Sequence, residues 1–170
     1  MIMALKNKNK GFTLIELLVV IAIIAILAAA IMATTTSAQV QARDSRRVGD
    51  LDSVRTALEF YMNKYGYYPK QSTSIEEALV SGSGTGKALI DEGFLPSVPV
   101  DPLNNATYKY WYCGTPTGDK YALKANLEMK DNKALQSDYD VDYPAVVANV
   151  CNCDGSETGN APYNYCLRNP

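Results

Sequence analysis

From Phe12 to Ala33 the chain is almost wholly apolar, has no Pro or Gly, and carries one charge, Glu16. Roughly 20 apolar residues span the hydrocarbon core of a bilayer as a helix. The run is long enough to cross a membrane, so the chain must fold as something anchored near its N-terminus. Lys6, Lys8 and Lys10 precede the run, and such a basic flank keeps the N-terminus cytoplasmic. Glu16 is the anomaly. A carboxylate in hydrocarbon is costly and is normally paired. Its best partner is the free amine that a cut between Gly11 and Phe12 would create. An ordinary secretory signal fits poorly, because its apolar region is about 7–15 residues long and ends at a small-residue site.

The matching residues are Lys6, Lys8, Lys10, Gly11, Phe12, Thr13, Leu14, Ile15 and Glu16, followed by the aliphatic run. In this order they resemble type IV prepilins and the pseudopilins of type II secretion. The resemblance implies cleavage after Gly11 by a prepilin peptidase and N-methylation of Phe12. It implies a homo-oligomeric helical filament in which Glu16 of one subunit meets the Phe12 amine of a neighbour. Ala25 and Ala33 depart from the family, which often has Gly and Pro near these places. The helix therefore lacks a built-in break, and Thr34-Thr35-Thr36 is the weaker candidate for local loosening.

Beyond the membrane run the pattern becomes amphipathic. Val48, Leu51, Val54, Leu58, Tyr61 and Tyr65 follow steps of three or four residues, the spacing of one helical face. Gly66 is a natural stop and Pro69 reinforces it. The whole helix would be about 80 Å long at 1.5 Å per residue. Arg43, Arg46 and Arg47 lie near the membrane exit, where salt bridges between packed helices are a better reading than DNA contacts. The stretches Ala42–Arg47, Thr56–Tyr61 and Tyr65–Pro69 resemble pilins of candidate-phylum bacteria, and the element Ala57-Leu58…Tyr61…Gly66-x-Tyr68-Pro69 also resembles the major pseudopilins.

The resulting organisation is a leader at 1–11, a membrane or filament-core helix at 12–37, an amphipathic helix at 38–66 and a globular head at 67–170. The fold class is α+β and pilin-like, a long N-terminal helix packed on a small antiparallel sheet. In the head, Ser74-Ile75-Glu76-Glu77 fits a capping box before a short helix through Ala78, Leu79 and Val80. Ser81 to Gly86 reads as a flexible turn. Its Gly86-Lys87 is not a phosphate loop, because Ala88 stands where Ser or Thr is needed. Pro99-Val100-Asp101-Pro102 holds the chain extended and resembles the element before the pilin sheet, with Leu103 where the major pseudopilins usually have Trp.

Tyr108, Tyr110 and Tyr112 alternate with Lys109, Trp111 and Cys113. Tyr121, Leu123, Ala125 and Leu127 alternate with Ala122, Lys124, Asn126 and Glu128. Period two in both predicts an antiparallel hairpin whose second strand lies on the outer half of the long helix. Two strands alone are marginal, so a third is expected, with Val146–Val150 as the candidate. Tyr163 and Tyr165 in the tail are read as free to touch a partner.

Cys113, Cys151, Cys153 and Cys166 all follow the membrane run. An even count outside the cytoplasm points to disulfides. Cys151 and Cys153 are too close in sequence for an easy mutual bond. Two pairings remain: 113–151 with 153–166, or 113–153 with 151–166. A four-thiolate metal site is the lesser reading. Asp138, Asp140 and Asp142 alternate and are a weak calcium candidate, with a solvated acidic loop the better reading. No other cofactor is expected.

The chain has no His, which removes imidazole-based catalysis and imidazole metal sites. Losing Lys6, Lys8 and Lys10 with the leader takes the side-chain charge from −2 to −5, so there is no general nucleic-acid footprint. The expected function is a non-enzymatic structural subunit of a type IV pilus-like filament, serving adhesion, motility or DNA uptake. A major pseudopilin of type II secretion and a minor tip pilin are the alternatives. Expected partners are the membrane before assembly, the prepilin peptidase, an inner-membrane assembly platform and minor pilins. Nucleic acid enters only for a DNA-uptake pilus. The expected location is a single-pass membrane state with a cytoplasmic leader, then the cell-surface pilus.

Overall fold

Helix α1 runs without interruption from Leu14 to Tyr65. In the computed structural model the described residues are 11–71, 76–138, 153 and 163–169. The chain divides into two units, 1–39 and 40–170, and α1 contributes to both. In the first unit α1 passes straight through Thr34-Thr35-Thr36. The Thr35 hydroxyl donates to the Ile31 carbonyl at 2.9 Å. That back-bond satisfies the hydroxyl inside the helix.

In the second unit α1 has one buried face. Leu51, Val54, Ala57 and Leu58 are buried there with Tyr112, Tyr121, Leu123 and Leu127 of the sheet. Burying a Val or Leu side chain fully contributes roughly 1.5–3 kcal/mol. Tyr65, at the helix end, is exposed instead. Gly66 adopts φ 75° and its N–H donates to the Met62 carbonyl at 2.7 Å. This left-handed glycine ends the helix where the sequence pattern placed the stop.

The sheet has four antiparallel strands in the order β1-β2-β3-β4: Glu77–Ala78, Tyr110–Gly114, Tyr121–Leu127 and Tyr163–Arg168. The expected hairpin is β2–β3, with Tyr112 opposite Leu123 and Tyr110 opposite Ala125. Its turn is closed by Thr115 N–H to the Lys120 carbonyl at 3.1 Å. Gly118 sits at φ 75° in that turn, and a Cβ there would come within 2.8 Å of the Tyr68 carbonyl. Glycine is required on both counts.

Three local expectations are corrected. The capping box at Ser74–Glu77 does not start a helix, since Glu77 and Ala78 form β1 and pair with Tyr112 and Trp111. Ser74 and Ile75 lie outside the described residues. The hairpin edge offers unpaired backbone groups, and Leu79 N–H continues the ladder to the Tyr110 carbonyl at 2.8 Å. A helix of a few residues has no comparable gain to offset its nucleation cost. The helix lies further on, as α2 at Gly84–Asp91, so the second half of the supposed flexible turn is its first turn. Glu77 serves that helix from outside, its Oε1 accepting from Thr85 N–H at 3.0 Å.

The third correction concerns the tail tyrosines. A further strand beyond the hairpin is present, as β4 beside β3, and its candidate Val146–Val150 lies outside the described residues. Ala125 faces Tyr165, and Leu127 faces Tyr163. Tyr165 is buried in the core and Tyr163 packs against it, so neither is a free partner-seeking residue. Their alternation with Asn164 and Cys166 places them on the face of the sheet that carries Leu123 and Leu127.

Candidate functional site

The first turn of α1 holds the residues singled out for processing and assembly. Gly11 and Phe12 are exposed, and a Cβ added at Gly11 would meet nothing within 4 Å. Thr13 stands immediately before the helix. Its N–H and its hydroxyl both donate to Glu16 Oε2 at 2.8 Å. In return Glu16 N–H donates to Thr13 Oγ1 at 3.3 Å. This is a reciprocal capping box, which satisfies otherwise orphaned donors at the helix start. The carboxylate also lies at the positive end of the helix dipole. The Thr13-x-x-Glu16 spacing was legible as a cap, but sequence reading paired the carboxylate with the Phe12 amine instead.

Around and beyond this turn the surface of α1 is apolar and open. Phe12 is 89% exposed, Leu14 88% and Ile31 64%, and the larger aliphatic side chains between them are exposed too. By length and composition, among the described residues, α1 is the one helix that could cross a membrane. Such a surface suits lipid or the same helix of neighbouring subunits.

A second constellation sits at the start of the head. Arg47 is fully buried on α1. Its Nε and Nη2 donate to Asp101 at 2.7 and 3.1 Å, and its Nη1 donates to Asp44 at 2.7 Å and to Glu128 at 2.6 Å. Arg43 adds a two-pronged contact to Glu128 at 2.8 and 2.6 Å. Asp44, also buried, accepts the backbone N–H groups of Glu128 and Met129. The Tyr108 ring lies 4.6 Å from the Arg47 guanidinium carbon. The cluster ties three distant segments together: α1, the Pro99–Pro102 element and the end of β3.

Its electrostatics follow from that geometry. The bonds from Arg43, opposed by partial burial and helped by Arg47, pull the Glu128 carboxyl down to about 2. Burial alone would lower the Arg47 pKa. Hydrogen bonds to Asp101, Glu128 and Asp44 outweigh it, so the guanidinium is held more firmly protonated than usual. These arginines make their ion pairs inside one subunit rather than between packed helices as expected. Arg46, more exposed, reaches Asp50 one turn on at 3.6 Å. Sequence reading missed Asp44, Asp101 and Glu128 as partners. The Asp44-x-x-Arg47 spacing on one helix face was the available signal for the first.

The buried tyrosines are core residues with satisfied hydroxyls. Tyr112 Oη donates to the Pro69 carbonyl at 2.7 Å and Tyr110 Oη to Asp50 at 2.8 Å. Burial, then the Asp50 carboxylate, raises the Tyr110 pKa well above the ordinary phenol value.

Cys153 and Cys166 form a disulfide, so the pairing 153–166 is the one present. Cys113 is disulfide-bonded as well, and Cys151 lies outside the described residues. Of the three alternating aspartates, Asp140 and Asp142 also lie outside them. Asp138 Oδ2 accepts from the Cys166 backbone N–H at 3.3 Å. Among the described residues no group of three or more His, Cys, Asp and Glu could hold a metal ion. Lys87 pairs with Asp91 on its own helix, so Gly86-Lys87 does not build a phosphate cradle.

Comparison with known proteins accords with this layout. Residues 6–32 match the prokaryotic N-terminal methylation motif. Residues 31–142 match type II secretion system (T2SS), protein G. The type II secretion system core protein G of Pseudomonas aeruginosa is 36% identical over 141 residues, covering 81% of this chain and 94% of its own. Core protein G of Escherichia coli is 29% identical over 101 residues, covering 58% and 70%. That of Vibrio cholerae is 28% identical over 122 residues, covering 71% and 83%. No solved structure matches significantly. With a methylation motif on an open apolar helix, a small antiparallel head and these relatives, the chain belongs to the type II secretion system protein G family of pilin-like filament subunits.

Proposed function

We propose that this chain is a processed structural subunit of a pilus-like helical filament and that it has no catalytic activity of its own. A prepilin peptidase cuts between Gly11 and Phe12, and Phe12 is then N-methylated. An inner-membrane assembly platform moves the anchored subunit into the filament, and minor pilins prime or terminate growth. The observation that carries this reading is the exposed apolar surface of α1 from Leu14 to Ile31, which lies within the residues that match the methylation motif. In the membrane, lipid covers that surface; in the filament, the same helices of neighbouring subunits cover it. Glu16 then exchanges its Thr13 contacts for the amine of an adjacent Phe12. The disulfides, Cys153–Cys166 and by pairing Cys113–Cys151, hold the tail on the sheet.

Mass spectrometry of purified filaments tests the processing. The mature chain is expected to begin at Phe12 with one extra methyl group. Gly11→Val places bulk at the scissile junction and is expected to leave residues 1–11 attached. A mature chain that starts elsewhere overturns the proposal.

A second reading has specific support. The match to protein G over residues 31–142 and the names of the relatives favour a major pseudopilin of a type II secretion system. In that role the filament pushes folded proteins out of the cell rather than acting as a surface fibre. Deleting the gene separates the two: loss of surface filaments marks the pilus, and retention of exported enzymes behind the outer membrane marks the pseudopilus.

A further inference from the structure

The triplet Asn105-Ala106-Thr107 occupies the loop between Asp101 and β2. It is the one Asn-x-Ser/Thr triplet in the chain with no Pro at its centre, the pattern of an N-glycosylation acceptor in a surface loop. Asn105, Ala106 and Thr107 are all exposed. Both flanks of the loop are fixed. Asp101 is held by buried Arg47, and the Thr107 carbonyl accepts from Asn126 Nδ2 at 2.7 Å. The tip itself is a tight turn, with Asn105 Oδ1 accepting from both Thr107 N–H and Tyr108 N–H at 2.9 Å. The carboxamide oxygen is thereby occupied. Among the described residues nothing engages Asn105 Nδ2 or the Thr107 hydroxyl. Those are the two groups an acceptor triplet must present.

We propose that Asn105 is a glycosylation site on the outer surface of the head, taking a saccharide from a polyprenyl-phosphate-linked donor. The inference rests on the reading above that the head faces away from the cytoplasm. The bond from the anomeric carbon to the donor phosphate oxygen breaks, and the lipid phosphate leaves with the electron pair. A bond forms between that carbon and Asn105 Nδ2, and the displaced amide proton passes to a base of the transferase. The Thr107 hydroxyl is the recognition group, and the saccharide projects from an exposed tip without disturbing the core.

Peptide mass spectrometry of the subunit purified from its native cells tests this. Trypsin releases residues 88–109 as one peptide, which is expected to carry a saccharide mass increment on Asn105. Thr107→Val keeps the backbone N–H that braces the turn but removes the hydroxyl, and is expected to abolish the increment entirely. Thr107→Ser is expected to retain it. A subunit that begins at Phe12 with a bare 88–109 peptide overturns the modification and leaves the filament reading intact. An increment that survives in Thr107→Val also overturns it. A glycosylated subunit that keeps residues 1–11 supports the modification and overturns the processing instead.

Discussion

Arg47 and Asp101, 54 positions apart, meet in a fully buried two-pronged ion pair, with Nε–Oδ2 2.7 Å and Nη2–Oδ1 3.1 Å. The pair fixes where the Pro-rich element crosses α1, and with Asp44 and Glu128 it closes the first turns of the head. A buried charge stays only while its partners stay.

Removing the cation therefore exposes the cost of the carboxylates. Arg47→Met is expected to destabilise the head by about 3–5 kcal/mol, the usual penalty for breaking a buried pair from one side. Arg47→Lys is expected to rescue little, because an ammonium cannot bind Asp101 through two parallel N–H groups. Denaturant unfolding of the full chain in detergent measures both. Equal stability of Arg47→Met and the parent would show that the cluster contributes nothing.

Acid should loosen the same cluster through Glu128. An unperturbed glutamate titrates near about 4.3, whereas Glu128 is drawn down to about 2, first by Arg43 and then by Arg47. Its folded pKa is depressed, so its stabilisation is complete above about 4.3 and is lost as pH falls from there to about 2. The shift corresponds to something on the order of 3 kcal/mol, with modest screening because the side chain is 15% exposed. Glu128→Gln is expected to be less stable near neutrality and to show a flatter stability profile between pH 5 and 2. A parent profile just as flat would refute the assignment.

The Cys153–Cys166 bond spans 13 positions and holds β4 at the edge of the sheet. Closing a loop of this size is worth about 3 kcal/mol by restriction of the unfolded chain. Replacing both residues by Ser is expected to lower stability by about that amount and to make the tail sensitive to protease. Hydrogen exchange should show β4 opening while the β2–β3 hairpin and α1 stay protected. Protection of β4 equal to that of the parent would show that strand pairing alone suffices.

Sequence made α1 and the β2–β3 hairpin legible because each is decided by local periodicity. The apolar run, the Leu51–Val54–Leu58 stripe and Gly66 fix the helix, and alternation on either side of Gly118 fixes the hairpin. The edge strands were illegible for a different reason. Glu77–Ala78 carries a helix-like signature, but hydrogen bonds to Tyr110–Tyr112 decide its state, and those partners lie far along the chain. Tyr163–Arg168 alternates, yet its polar surroundings read as a loose tail, and pairing with β3 is what makes it a strand. The ion cluster divides the same way. Asp44 lies one helical turn from Arg47, whereas Asp101 and Glu128 reach it only through the folded topology.

Glu16 carries the last prediction. In the single subunit its carboxylate accepts from Thr13 N–H and Oγ–H, so the charge is already partly satisfied when the helix enters the bilayer. Glu16→Ala removes the carboxylate half of that capping box and leaves Thr13 as the N-cap. It also removes a charge that is costly within a membrane. Insertion and cleavage after Gly11 should therefore continue. Assembly should not, because the mutant offers the incoming Phe12 amine no carboxylate and would bury a cation alone. Filament yield by electron microscopy is expected to fall at least tenfold, with mature subunit accumulating in the membrane fraction. Glu16→Gln keeps an acceptor for Thr13 but not the charge, so it should insert like the parent and assemble like Glu16→Ala. Normal filaments from Glu16→Gln would mean that the cap, rather than the charge pair, is what assembly requires.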